Sequence, residues 1–202
     1  MQHPPPPQAT GLQIDIHAFI ESFVQTLEAR DSYTAGHSQR VSDLAASLAR
    51  ELHVPEAEVT IIHIAGDLHD IGKVGIPDGI LLKSGRLSPS EFEIIQKHAT
   101  LGHDILKGVK GLEDVALMVR HHHERYDGRG YPDGLRGEDI PLGARIIAIA
   151  DSFDAMTSNR TYRPVMSVEA ALAELWRERG RQFDPYLAAC FCGLLAGRPE
   201  AA

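Results

Sequence analysis

Histidines and aspartates recur along this sequence at positions that helical periodicity assigns to a buried face. His98 follows Ile95 by one helical turn on the inward stripe Phe92, Ile95, Ala99, and His122 stands in the same relation to Met118 and Val119. His69-Asp70 closes a long apolar stretch, and Asp151 sits inside the apolar run Ile146 to Met156. A single core histidine is usually just hydrogen-bonded: His69 alone reads as a cap on helix carbonyls, and Asp70 alone as a partner of Lys73. Core-facing histidines and aspartates on four separate helices call for a common explanation, because each is costly to bury without a partner. Such a chain has to bring those helices together around a polar centre.

The remaining pattern is also helical. Ile16, Phe19, Ile20, Phe23, Val24 and Leu27 form one amphipathic stripe, and Val41, Leu44, Ala45, Leu48 and Leu52 form the next. A buried helix is expected from near Pro55 to Ile71, stopped by Gly72 and Pro77. Ser88-Pro89-Ser90-Glu91 is a capping box with proline at the first helical position, opening a helix that runs to about Lys107. Further helices are expected at Glu113 to His123, Pro141 to Thr157, Ser167 to Arg179 and Asp184 to Leu195. There is no period-2 strand pattern and no internal repeat. The expected fold is an all-α, single-domain helical bundle of about eight or more helices over residues 14–197. A proline-rich linker (1–13) precedes it and a short tail (198–202) follows. Two connections, Gly72 to Leu87 and Glu124 to Ile140, are long for a compact bundle and are therefore expected to be functional.

Composition narrows the function classes. With 20 basic against 28 acidic residues the formal charge is −8, which argues against DNA binding but allows a small anionic ligand in a local cationic pocket. The apolar runs are too short to span a bilayer, and the amino terminus lacks a signal pattern, so a cytoplasmic location is expected. Cys190 and Cys192, two residues apart on a helix, point to opposite faces and read as reduced core filler.

Metal is the cheapest common explanation for the inward polar residues, since helical bundles build metal centres from facing helices. Imidazole and carboxylate without thiolate suit iron, manganese, nickel or zinc. The inward histidines and aspartates together exceed the needs of one tetrahedral ion, which favours a carboxylate-bridged pair. Two ions about 3.5 to 4 Å apart can activate water and neutralise the oxygens of an in-line phosphoryl displacement. The pattern therefore points to phosphoester hydrolysis.

A specific set of ordered motifs extends this reading. His69-Asp70 with Gly72-Lys73, Gly75-Ile76-Pro77-Asp78, His98, His122-His123-Glu124 and Asp127-Gly128-Arg129-Gly130-Tyr131-Pro132 resembles the signature of the HD-GYP domain, a branch of the HD metal-dependent phosphohydrolases. The resemblance runs from about Asp31 to Asp184-Pro185. It implies an all-α domain of the HD type that hydrolyses cyclic di-GMP to linear pGpG, with a second hydrolysis to GMP open, at a centre of two divalent ions, iron or manganese. Nickel, zinc or magnesium are ions that purification can introduce. Carried onto matching positions, Asp70 bridges the ions, His69 and Asp151 hold one, and His98, His122 and His123 hold the other. Lys73 contacts a phosphate or the nucleophile, Arg160 and Arg163 bind substrate phosphates, and the Gly-Tyr-Pro loop forms a lip that also meets signalling partner domains. Two alternatives stay open: a phosphodiesterase for another cyclic dinucleotide such as cyclic GMP-AMP, and a catalytically weak receptor or interaction module.

One position departs from the resemblance. Members with three metals carry a glutamate one helical turn before the histidine matching His37, where this chain has Tyr33. A phenol keeps its proton until near pH 10 and is a poor ligand for a hard cation. His37 is therefore assigned to supporting or substrate contacts, while His3, His17, His53, His63, His103 and His121 are assigned no ligand role. Anaerobically prepared protein is expected to carry about two transition metals per chain by mass spectrometry. A tightly held third ion with His37 among its ligands would contradict the reading of Tyr33.

Overall fold

The computed structural model describes residues 18, 20, 22–26, 36–158 and 165–197. Residues 18, 20 and 22–26 are helical, and after them come α1 (His37–Glu51), α2 (Glu56–Leu68), α3 (Asp78–Leu81), α4 (Pro89–Leu106), α5 (Glu113–His121), α6 (Leu142–Thr157), α7 (Val168–Arg177) and α8 (Pro185–Ala196). A 3₁₀ turn at Ile71–Gly75 follows α2, and another at Gly137–Asp139 precedes α6. No strand occurs among the described residues, so the expected all-α architecture is what forms.

Local signals set the helix ends. Ser88 Oγ accepts from Glu91 N at 3.2 Å while Ser88 N donates to Glu91 Oε2 at 2.7 Å, completing the capping box of α4. Ser167 caps α7 through Ala170 N, and Asp184 caps α8 through the amides of Tyr186 and Leu187. The second helix ends at Leu68, earlier than the sequence suggested, and the chain tightens into the 3₁₀ turn. His69 keeps helical backbone angles as the cap of α2, and Asp70, at φ −97° and ψ 5°, turns the chain into the 3₁₀ segment.

The core joins α1, α2, α5, α6, α7 and α8 through Leu48, Ile62, Val119, Ile146, Leu175 and Phe191, each at most 2% exposed. Cys190 and Cys192 are unbridged and pack, partly buried, against it. On the opposite side α4 lies across the 3₁₀ turn and against α5. Two residues assigned to inward stripes are corrected by the structure. Phe23 is 49% and Phe92 48% exposed. Phe92 sits in the first turn of α4, where the helix overhangs the loop after α5, and its ring meets Tyr131 instead of the core. The long Gly72 to Leu87 connection is also less irregular than expected, because it holds the 3₁₀ turn and the single turn of α3.

Gly72 fixes the approach of α4 to the His69-Asp70 turn. A Cβ built there would lie 1.9 Å from His98 O and 2.5 Å from Gly102 N, both backbone atoms that cannot swing away. Gly72→Ala is therefore expected to lower stability by about 3 kcal/mol, the upper end of overpacking costs, in urea denaturation of metal-free protein. A loss below about 1 kcal/mol would contradict the close approach.

Candidate metal centre

Three histidines are aimed by carbonyls of their own helices. His69 Nδ1 lies 2.7 Å from Gly66 O, His98 Nδ1 2.7 Å from Ile95 O, and His122 Nδ1 2.7 Å from Val119 O. A carbonyl only accepts, so each Nδ1 carries the proton and donates it. In a neutral ring the other nitrogen, Nε2, is then a bare acceptor. His69, His98 and His122 are each 1% exposed. His98 Nε2 and His122 Nε2 face each other at 3.4 Å. Two buried lone pairs at that distance have no proton to share and need an electrophile between them.

The donor atoms fall into two groups. One nitrogen each from His98, His122 and His123 lies within 4.8 Å of the others, and so do single donor atoms of His37, His69 and Asp70. Asp70 stands between the groups, with Oδ1 3.6 Å from His98 Nε2 and Oδ2 3.4 Å from His69 Nε2. Asp151 joins the second group through His37 Nε2, 3.3 Å from its Oδ1. All six expected ligands thus converge on one side of the bundle, and the donor set of imidazole nitrogens and carboxylates fits two divalent ions. The ordinary roles first considered for His69 and Asp70 are also present: His69 does bond a helix carbonyl, and Lys73 Nζ donates to Asp70 Oδ2 at 2.6 Å. They use only one nitrogen and one oxygen, leaving His69 Nε2 and Asp70 Oδ1 turned inward.

Charge follows the same division. Burial holds His98 and His122 below the usual imidazole range and takes His123 to about 3, so these rings are neutral. Burial opposes ionisation of Asp70 and Asp151 as well. Lys73 and His69 overcome it for Asp70, as His37 does for Asp151, and both carboxyls stay well below their ordinary value. Burial likewise opposes charge on His37, but hydrogen bonds to Asp151 and Asp154 outweigh it and lift the ring to about 9.

His37 is held from behind by a group the sequence reading missed. Its Nδ1 lies 2.7 Å from Asp154 Oδ2, and Asp154 also accepts from Arg40 Nη2 at 3.1 Å and Ser158 Oγ at 3.0 Å. The available signal was spacing alone: Arg40 is one turn beyond His37, and Asp154 one turn beyond Asp151. His121 is in neither of these two donor groups and bonds Asp133 at 2.9 Å. His63 pairs with Asp43 of α1 and with Asp67 one turn along α2. Lys73 is placed on Asp70. Arg160, Arg163 and Tyr33 lie outside the described residues.

These shifts place the stability maximum of the metal-free protein near neutral pH. His98, His122 and His123 have folded values held below the 6.5 at which they protonate when unfolded, so their contribution is present above 6.5 and is lost as pH falls below it, for His123 through about 3. His37 has the opposite sign, its contribution being complete below 6.5 and lost as pH rises through about 9. Tm of chelator-treated protein is expected to fall on both sides of neutrality. A Tm that climbs between pH 6.5 and 5 would contradict the neutral, buried rings.

The HD domain family profile matches residues 21–187. The cyclic di-GMP phosphodiesterase response regulator RpfG of Xanthomonas campestris pv. campestris is 44% identical over 183 residues, covering 90% of this chain and 48% of that protein. A 3′3′-cGAMP-specific phosphodiesterase of Vibrio cholerae, numbered 3, is 37% identical over 192 residues, covering 94% of this chain and 41% of that protein. The chain thus spans about half the length of these curated relatives. Among solved structures, the cyclic GMP-AMP phosphodiesterase V-cGAP3 of V. cholerae superposes with a TM-score of 0.70 at 22% identity, over 89% of this chain and 48% of that one. The chain belongs to the HD domain family, and its motifs are those of the HD-GYP branch.

Proposed function

We propose that this chain is a metal-dependent phosphodiesterase that opens cyclic di-GMP to linear pGpG, with a second cut to GMP within reach of the same chemistry. The observation that carries the reading is the Asp70 carboxylate, which turns one oxygen toward His98 and the other toward His69. That is the arrangement a bridging ligand requires. In this proposal His69 and Asp151 hold one ion, His98, His122 and His123 the other, and Asp70 both. Iron or manganese suits the donors. When bound, the ions supply Lewis acidity toward water and phosphoryl oxygens.

The protein groups supply position and charge. Lys73 fixes Asp70 Oδ2 and, one quarter exposed, sets an ammonium at the rim of the centre where a non-bridging phosphate oxygen would bind. His37 donates from Nε2 to Asp151 and orients it, with Asp154 and Arg40 behind. Arg160 and Arg163 are proposed to clamp substrate phosphate by charge-assisted hydrogen bonds. Water then attacks phosphorus in line with the 3′ oxygen, the P–O3′ bond breaks, and the departing oxygen takes a proton, leaving a 5′-phosphate and a 3′-hydroxyl.

No helix among the described residues is long and apolar enough to cross a membrane. A cytoplasmic location is part of this proposal. The similarity to a cGAMP-specific relative favours 3′3′-cGAMP as the second substrate to test.

Protein reconstituted with iron(II) or manganese(II) is expected to convert cyclic di-GMP to pGpG, with no turnover in a metal-free control. Asp70→Asn removes the charge that binds two cations and is expected to cut turnover at least about 100-fold and deplete metal. Wild-type turnover in that variant would overturn the bridging role. Tight binding of cyclic di-GMP by metal-loaded wild-type protein with no product would support the receptor reading instead.

A further inference from the structure

The Gly-Tyr-Pro loop follows the histidine pair directly, and nothing in the proposed chemistry uses it. His69, His98 and His122 are oriented by carbonyls of their own helices. His123 makes no such bond among the described residues, because α5 ends at His121 with His122 as its cap and His123 lies beyond the last turn. A candidate ligand without a hydrogen-bonded orienter is free to rotate about its side-chain torsions unless something packs against it.

Tyr131 packs against it. The two ring centroids are 4.9 Å apart with an interplanar angle of 31°, and Tyr131 N donates to His123 O at 3.3 Å. His122 neighbours the same ring at 4.0 Å. Phe92 meets Tyr131 edge-on at 6.3 Å and 82°, so the tyrosine is itself braced from α4. We propose that Tyr131 is a positioning residue for His123, fixing by aromatic stacking the one proposed ligand of its group of three that neither a helix carbonyl nor a carboxylate orients.

The loop is built to hold that ring in place. Gly130 runs so close to the end of α5 that a Cβ would lie 2.3 Å from Arg125 N and 2.5 Å from Glu124 Cα. Only glycine brings the next residue to His123. Beyond the proline, Asp133 N donates to Glu124 Oε1 at 2.7 Å. The Asp133 carboxylate accepts from Arg120 at 2.7 and 2.8 Å and from His121 at 2.9 Å. Three side chains of the His121 to Glu124 neighbourhood thus tie the far end of the loop to the segment that carries His122 and His123. The motif reads as one device: glycine for approach, tyrosine for the stack, and the aspartate after the proline for the anchor.

The inference rests on the metal-centre reading, and its test separates the two. Manganese(II) is titrated calorimetrically into wild-type protein, Tyr131→Phe, Tyr131→Leu and Tyr131→Ala, with His123→Ala as reference and the Tm of each metal-free protein measured in parallel. Tyr131→Phe keeps the ring and is expected to bind both ions within about 3-fold of wild type. Tyr131→Leu and Tyr131→Ala are expected to weaken one of the two sites by about 10- to 100-fold, the usual cost of losing a group that orients a ligand. Should Tyr131→Ala fail to fold, the Phe and Leu pair decides. Leucine as good as tyrosine, or phenylalanine as poor as leucine, would overturn the stacking role. Folded wild-type protein that binds no manganese would overturn the metal centre and this inference with it, whereas a wild-type pair of sites indifferent to Tyr131 overturns the inference alone.

Discussion

Three hydrogen bonds of 2.7 Å, from His69, His98 and His122 to the carbonyls of Gly66, Ile95 and Val119, set the character of this molecule. Each donates its Nδ1 proton to a carbonyl of its own helix, and each turns Nε2 of the neutral ring inward as a bare acceptor. The bonds therefore do two things at once: they orient three rings and they fix three tautomers. Burial then keeps the rings of His98 and His122 neutral, so the interior collects lone pairs that only a cation can satisfy.

Packing serves this centre. Gly72 lets α4 close on the His69-Asp70 turn, and Gly66 lets α2 approach α1, where a Cβ would meet Ser42 Cα at 2.7 Å. With those approaches made, Asp70 lies between the two donor groups and Asp151 beside His37. Charge is segregated as well. The histidines proposed to hold one ion are neutral, while cationic His37, Lys73 and Arg40 stand around carboxylates at the other end.

Much of this was legible in the sequence, and the reason is periodicity. The inward polar residues His69, Asp70, His98, His122 and Asp151 interrupt apolar stripes, which marked both the helices and the proposed ligands. Capping signals placed the start of α4 and α8 correctly. What stayed hidden depends on tertiary approach. Phe92 has the spacing of a core residue, yet its position at the overhanging start of α4 exposes it to Tyr131. Asp154 and Arg40 look like solvated helix charges until α1 and α6 pack and bring them together behind His37. His121 points away from its neighbours as the helix geometry requires, but its bond to Asp133 needed the path of the loop. A turn-rich segment carries no periodicity from which that path can be read.

The central claim is that a single carboxylate, Asp70, joins two ions into one centre. Electron paramagnetic resonance of the protein loaded with two equivalents of manganese(II) tests it most directly, because ions about 3.5 to 4 Å apart with a shared ligand couple magnetically. The account predicts the spectrum of an exchange-coupled pair in the wild-type protein and its replacement by isolated-ion signals in Asp70→Asn. Two independent six-line signals in the wild type, unaltered by that substitution, would contradict it.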